Sequence, residues 1–228
     1  MAIAEQHFIV HDFGAPSMKQ VKPAKPEILN RYTSLPVALD ILFRQQVTLV
    51  SPESWEDRND AFYLERYRKD KGLGMLVAIC FTSRGETYHH WKVFSNGLGG
   101  ICIEFDKNKL LKAFPVSEGF RCEPIDYKFI QNITEDRPVI ERWPFLKRKG
   151  FKDEGEFRII YENAEAYNHV KQVDIGLDAI NKVTLSPWLS DTVAASVQSV
   201  VNTIKGCERI QVRRSSLIDN PHWKRAIE

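Results

Sequence analysis

No apolar run in the chain approaches the ~18 residues a membrane-crossing helix requires. The longest, such as Met75–Phe81, are far shorter. The first residues also lack the charged segment followed by an apolar one that marks a secretory leader. These two absences exclude an ordinary span and a membrane partner, and the chain reads as cytoplasmic. Cysteine is scarce: of 228 residues only Cys80, Cys102, Cys122 and Cys207 carry a thiol, with no CxxC spacing. Neither a zinc site nor a disulfide framework is indicated, and two of the four sit in apolar, strand-like runs where cysteine behaves as a small hydrophobe. Charge of one sign is lacking too. A formal net charge of +2 excludes whole-molecule attraction for nucleic acid or an anionic surface, though it leaves room for a local basic patch. His89 and His90 have no partners at metal-ligand spacing, so no metal is expected. No internal repeat or low-complexity tract appears, which excludes solenoids and arrays.

What is present is an ordinary globular composition, 43% hydrophobic and 27% charged. The length suits one large domain with an appendage. Residues 1–27 mix Gly, Pro and Lys without periodicity and read as an arm or linker, which leaves 28–228 as one domain. Within it, Ile28–Tyr32 is strand-like. Leu35, Ala38, Leu39 and Leu42 recur at helical spacing, with Thr33 and Ser34 as cap candidates and Pro36 in an early-helix position. Val47–Ser51 is a second strand, Trp55–Asp60 an ordered loop, and Met75–Phe81 a strand buried on both faces. Tyr88–Phe94 forms a short helix, Ile101–Phe105 a strand and the segment after Asp106 a helix ended by Pro115. Phe120–Tyr127 is an irregular strand interrupted by Pro124. Lys182–Leu185 is a strand. Asp191–Lys205 is a helix with Val193, Val197, Val200, Val201 and Ile204 as its apolar stripe. Strands and helices interleave irregularly, so the fold class is α+β, with a twisted mixed or antiparallel central sheet flanked by helices.

The stretch Phe151–Tyr161, FKDEGEFRIIY, concentrates charge. Read as a strand, alternation puts Glu154, Glu156 and Arg158 on one face and Gly155, Phe157 and Ile159 on the other. Two carboxylates and a guanidinium this close perturb one another's ionisation and suit a reactive site. The plainer reading is an exposed ladder of ion pairs.

The chain resembles, and on these motifs is identified as a member of, a bacterial family known only as a domain of unknown function, number twenty-nine seventy-one. The motifs are Arg31-Tyr32 after an apolar strand, the SxxSWEDxxD block at Ser51–Asp60, the CFTS…HHW run at Cys80–Trp91, GGICIEFD at Gly99–Asp106, FKDEGEFR at Phe151–Arg158 and RSSL at Arg214–Leu217. A second resemblance lies beneath it. An Arg on the first strand, a strand ending in FTS and a later ExE follow the order of the R-S-E type of ADP-ribosyltransferases, and the fold would then be ADP-ribosyltransferase-like. This likeness implies that Arg31, with Tyr32 beside it, holds the phosphates of NAD. It implies that Thr82 and Ser83 position the nicotinamide ribose, that Glu156 is the catalytic glutamate and that Glu154 is the first Glu of the pair. A guanidinium offers paired hydrogen bonds to pyrophosphate, and a carboxylate near the ribose stabilises oxocarbenium character as nicotinamide departs. Tyr88 and Trp91 are candidates to stack on a nicotinamide or adenine ring. This segment reads FTSRG where the family has STS, and Arg158 lies two residues from the glutamate.

The implied function is an NAD-binding or NAD-cleaving enzyme, set by analogy among bacterial toxins or phage-defence effectors, with a protein or nucleic acid as acceptor of the ADP-ribosyl group. Two rival readings stand beside it. Asp126, Glu156 and Asp57 or Asp60, with Lys147–Lys149 nearby, loosely resemble a metal-dependent nuclease. Without either site the chain is a non-catalytic binding module. The sequence leaves the oligomeric state open.

Overall fold

The computed structural model describes residues 27–95 and 97–227, so the arm expected over residues 1–27 lies, apart from Glu27, outside the described residues. Strand β1 (Ile28–Ser34) runs directly into helix α1 (Leu35–Arg44), where Pro36 occupies the first turn and its missing amide costs nothing. Ser34 stands at the cap position without a side-chain bond to the helix. After β2 (Gln46–Val50) and a turn of 3-10 helix at Pro52–Ser54, Asp57 caps α2 (Arg58–Asp70). Its carboxylate accepts from the amides of Asn59 and Asp60 at 3.0 and 3.3 Å. The loop expected over Trp55–Asp60 therefore ends at Asp57, because the cap satisfies amides that a helix start leaves free.

Next come β3 (Met75–Thr82), α3 (Tyr88–Phe94), β4 (Gly100–Asp106) and α4 (Lys107–Leu111). β5 (Phe120–Pro124) and β6 (Asp126–Lys128) are separated at Ile125, whose amide still donates to the Glu156 carbonyl at 2.9 Å, while the Glu156 amide donates to the Tyr127 hydroxyl at 2.8 Å. The chain continues through α5 (Ile130–Glu135), β7 (Leu146–Arg148), β8 (Glu156–Asn163), β9 (Val170–Asp174) and β10 (Ile180–Leu185). It closes with α6 (Asp191–Thr203), β11 (Gln211–Arg214) and α7 (Pro221–Arg225). β7, β9 and α7 were not anticipated: β7 falls in a basic run, and β9 is mostly exposed and polar, so it carries little hydrophobic signal. Among the described residues no helix is long and apolar enough to cross a membrane.

The α+β expectation holds. Among the described residues nine strands form one sheet in the order β11-β10-β4-β1-β3-β2-β9, with β8 pairing β3 and β5 pairing β8. It is mixed, because β10 and β11 run parallel and the other pairs antiparallel. β1 follows β4 along its whole length, and β3 follows β8 over eight pairs. Between β1 and β3, by contrast, the register holds at a single pair, Asn30 with Thr82. The sheet splits there, and the functional residues gather at the split.

Both faces are covered. On one, α1, α4 and α6 pack over Leu29, Val77, Ile79, Phe81, Ile103 and Phe105. On the other, α2 packs over Leu76, Ala78 and Ile160, while Trp91 of α3 packs with Tyr32 and Cys102. On α6 the buried stripe is narrower than expected. Val197, Val201 and Ile204 are buried, but Val193 and Val200 are each 46% exposed. Positions four and three apart already span the contact, and their neighbours turn outward.

Candidate functional site

Segment 149–161 does not form one strand. Lys149–Glu154 is a 3-10 turn, Gly155 reverses it in the left-handed region (φ 54°), and β8 begins only at Glu156. Gly155 is required twice over: that backbone disfavours a side chain, and a Cβ would stand 2.4 Å from Cγ of Arg84. Glu154 thus points from a turn rather than sharing an alternating face with Glu156 and Arg158. The exposed-ladder reading is also overturned, since Arg158 is 0% exposed and Glu156 is buried.

Arg158 is held from every side. Its Nη1 and Nη2 donate to the two carboxylate oxygens of Asp60 at 2.9 and 2.6 Å. Nη1 also donates to the Pro144 carbonyl at 2.8 Å, and Nε donates to Oε1 of Glu156 at 2.7 Å. Trp55 covers the guanidinium at 5.0 Å. Lys147, from the short strand β7, completes the cluster. Its Nζ lies 2.6 Å from Oε2 of Glu154, 3.1 Å from Oε2 of Glu156 and 3.8 Å from Asp60. Three carboxyl groups and two cations thus share one cluster.

Ionisation follows from this packing. Burial alone would raise the Glu156 carboxyl, but Arg158 and then Lys147 outweigh it and hold it at about 2. For Glu154 burial wins over Lys147 and the carboxyl is pushed up. Burial likewise pushes Asp60 up against the pull of Arg158. The ammonium of Lys147 rises above its ordinary value because Glu156 and Glu154 overcome the cost of burial.

A second set of bonds fixes the turn ahead of Glu156. The carbonyl of Glu154 accepts from the Thr82 hydroxyl at 2.6 Å and from Nε2 of His90 at 3.1 Å. A carbonyl only accepts, so Nε2 carries the proton, and the Thr87 hydroxyl donates to Nδ1 at 2.8 Å. Burial holds the His90 imidazole below its ordinary pKa, in keeping with the neutral ring. Tyr32 stacks on that ring, with centroids 5.2 Å apart.

Several of these residues border a cavity of about 480 Å³, within the usual range for small-molecule sites. It is lined by Arg31, Tyr32, Trp55, Asp60, Cys80, Thr82, Phe94, Lys147, Phe151, Glu154 and Glu156. Registered partners share a face, so Asn30, Thr82 and Glu156 lie together, and by alternation Arg31 leaves β1 on the opposite, core face. It reaches the cavity through the split. Its Nη1 donates to the Cys80 carbonyl at 2.8 Å, on the edge of β3 that β1 leaves free, and its guanidinium lies 6.0 Å from the Phe81 ring. Among the described residues its Nε is the one buried side-chain nitrogen or oxygen without a hydrogen-bond partner.

The other candidates sit elsewhere. Trp91 is 0% exposed and its indole donates to Glu86 at 2.7 Å, so it has no free face for a ligand ring. Tyr88, 55% exposed, packs edge-on against Trp188 beside Lys92, away from the cavity lining. The hydroxyl of Ser83 donates to the Gly155 carbonyl at 3.1 Å on the surface, outside the lining. The carboxylate set of a metal-dependent nuclease is not assembled. Asp126 pairs with Lys128 outside the cavity, and Asp60 and Glu156 spend oxygens on Arg158. Among the described residues no group of three or more His, Cys, Asp or Glu side chains is arranged to hold a metal ion. From the sequence Lys147 stands out only within the basic run beside the nuclease-like set and His90 only as a poor metal ligand, and neither is given a place beside Glu154 and Glu156. The one signal for Lys147 is its place directly before the acidic segment.

No family model matches the chain, so the identification with the numbered family rests on the motifs alone. No curated protein matches it either. Among solved structures it is similar to Thermus sp. 2.9 DarT in complex with carba-NAD+, at 11% identity and a TM-score of 0.43, over 84% of this chain and 96% of that one. The same protein in complex with NAD+ gives 10% identity and 0.44 over 84% and 96%. In complex with ADP-ribosylated ssDNA it gives 10% and 0.43 over 83% and 94%.

Proposed function

We propose that the chain is an ADP-ribosyltransferase-like enzyme that binds NAD and cleaves its nicotinamide–ribose bond. The observation that carries this reading is the convergence of Arg31, Thr82, Glu154 and Glu156 on one cavity. Arg31 serves the pyrophosphate: only its Nη1 is spent on the protein, and its Nε has no partner. In the reaction the bond between ribose C1′ and the nicotinamide nitrogen breaks, the electron pair leaves with the nitrogen, and the pyridinium becomes neutral nicotinamide. The positive charge passes to the ribose as an oxocarbenium ion. Glu156, kept ionised at about 2, faces that charge and orients a ribose hydroxyl. Glu154, the carboxylate whose pKa is raised, is the better proton acceptor for the incoming nucleophile. Capture by water gives ADP-ribose, and capture by an acceptor gives an ADP-ribosylated product. A toxin or phage-defence setting carries over from the resemblance alone.

The test is nicotinamide release from NAD by the purified chain, compared with Glu156→Gln. The variant is expected to lose about 10²–10³-fold in kcat, the scale of one lost electrostatic stabiliser, while its far-ultraviolet circular dichroism is unchanged. Turnover equal to that of the unaltered chain would reject the assignment.

A further inference from the structure

We infer that Asp60 is a positioning residue for this reaction, acting on Glu156 through Arg158. The inference rests on the NAD reading for its chemistry and on the buried cluster for its geometry. A carboxylate has two oxygens and can turn about its last bond, so one that must face a developing charge needs one oxygen fixed. Arg158, which is not among the residues lining the cavity, fixes Oε1 of Glu156 with its Nε at 2.7 Å. That leaves Oε2, shared with the cavity-lining Lys147 at 3.1 Å, as the oxygen presented to substrate.

Nε of an arginine points where its guanidinium plane points, and here the plane is set from the far end. Asp60 takes both Nη groups in a fork, at 2.9 and 2.6 Å, and both side chains are buried, with Asp60 at the cavity wall. The Pro144 carbonyl and the Trp55 ring hold the same plane without supplying charge. Asp60 comes from the first turn of α2, and Asp57, three residues before it, caps that helix by accepting from the amides of Asn59 and Asp60. The helix start therefore delivers a carboxylate to a guanidinium on β8, 98 residues away in the chain. Without the charge of Asp60 the Pro144 carbonyl and the Trp55 ring remain, but the pull of Glu156 on the guanidinium is no longer balanced from the far end.

The experiment uses the full chain and Asp60→Asn, assayed for nicotinamide release well below the melting temperature of each protein, with the Arg158 Nε–H resonance followed by ¹H–¹⁵N NMR. That resonance is assigned by its loss in Arg158→Lys. The expected result is a fall in kcat of about 10–100-fold with KM for NAD changed less than about threefold, together with a displaced Nε–H resonance. A purely structural role would move the melting temperature and leave the kcat of the folded fraction intact. An unchanged kcat in folded Asp60→Asn, or an unchanged resonance, overturns the inference. Should Asp60→Asn fail to fold, Asp60→Glu replaces it: it retains the charge, misplaces the fork by one methylene, and is expected to lower kcat about three- to tenfold at constant KM with a displaced resonance. An unchanged kcat or resonance there overturns the inference. The resonance needs no nucleotide. If the unaltered chain neither binds nor cleaves NAD, the proposed function falls, and the resonance in Asp60→Asn still decides whether Asp60 sets the guanidinium.

Discussion

Arg31 and Glu156 reach one cavity from opposite faces of the sheet, and they do so because β1 and β3 pair only at Asn30 and Thr82. A continuous ladder would have buried Arg31 in the core among Leu29 and Phe81. Its guanidinium instead caps the Cys80 carbonyl and leaves Nε unused. Arg31→Lys retains the charge and loses the planar fork. With NAD as substrate, KM is expected to rise about tenfold, a loss of about 1.4 kcal/mol, with kcat changed less than about threefold. Nicotinamide release at varied NAD measures both. A fall in kcat at constant KM would put the guanidinium at the reacting centre instead of the phosphates.

The order of elements was legible from sequence wherever periodicity or capping was strong. α3 matches its expected span, Met75–Phe81 lies buried on both faces, and Pro36 begins a helix as anticipated. The charged stretch was located but its geometry was not. Alternation assumes an extended chain, and the left-handed Gly155 breaks that assumption one residue before the strand begins. Nor could the sequence foresee that Asp60 would fork Arg158 or that Lys147 would reach both Glu154 and Glu156. Those contacts are set by where α2 and β7 dock, the first across a sequence separation of 98 residues. For the same reason Trp91 looked available. Its burial against Tyr32 and Cys102 is a tertiary fact that helical spacing does not carry.

The carboxyl of Glu156 makes stability depend on pH in a defined direction. Its folded pKa, about 2, lies below its ordinary 4.5. The contribution is therefore fully present above about pH 4.5 and is lost as pH falls toward 2, amounting to about 3 kcal/mol. Asp60 and Glu154, pushed up by burial, act with the opposite sign, and their penalty is relieved as pH falls through their raised values. Comparison with Glu156→Gln isolates the first effect. The gap in unfolding free energy, from urea titrations, is expected to be about 3 kcal/mol at pH 7 and to close progressively below pH 4.5. A gap independent of pH would mean that Glu156 is not held ionised.

Lys147 is the cation whose removal the cluster tolerates least well without Arg158 being touched. Lys147→Met leaves Asp60, Glu154 and Glu156 facing a single guanidinium, so the cost is expected to be about 3 kcal/mol, as for other broken buried pairs. An exposed pair offers the contrast. Asp40→Asn, which breaks the bond from Arg44 at 2.7 Å on the outside of α1, should cost well under 1 kcal/mol. Urea unfolding of both variants at pH 7 makes the comparison. Equal costs would show that Lys147 is solvated rather than locked among the carboxylates.

Thr82 and Ser83 are adjacent yet do different work. The Thr82 hydroxyl is buried, donates to the Glu154 carbonyl at 2.6 Å and accepts from the Arg84 amide at 3.0 Å, so it pins both sides of the turn that presents Glu156. Thr82→Val leaves that amide without its partner and is expected to cost about 1–3 kcal/mol. The Ser83 hydroxyl meets only the Gly155 carbonyl, at 3.1 Å and on the surface, and Ser83→Ala should cost less than about 0.5 kcal/mol. Stability alone therefore separates the two, and activity then asks a further question of Ser83. If its hydroxyl serves the nicotinamide ribose, Ser83→Ala will lower kcat/KM for NAD at unchanged melting temperature. If the rate is also unchanged, ribose positioning falls to Thr82 and the turn it holds, because no other hydroxyl of the FTS segment remains.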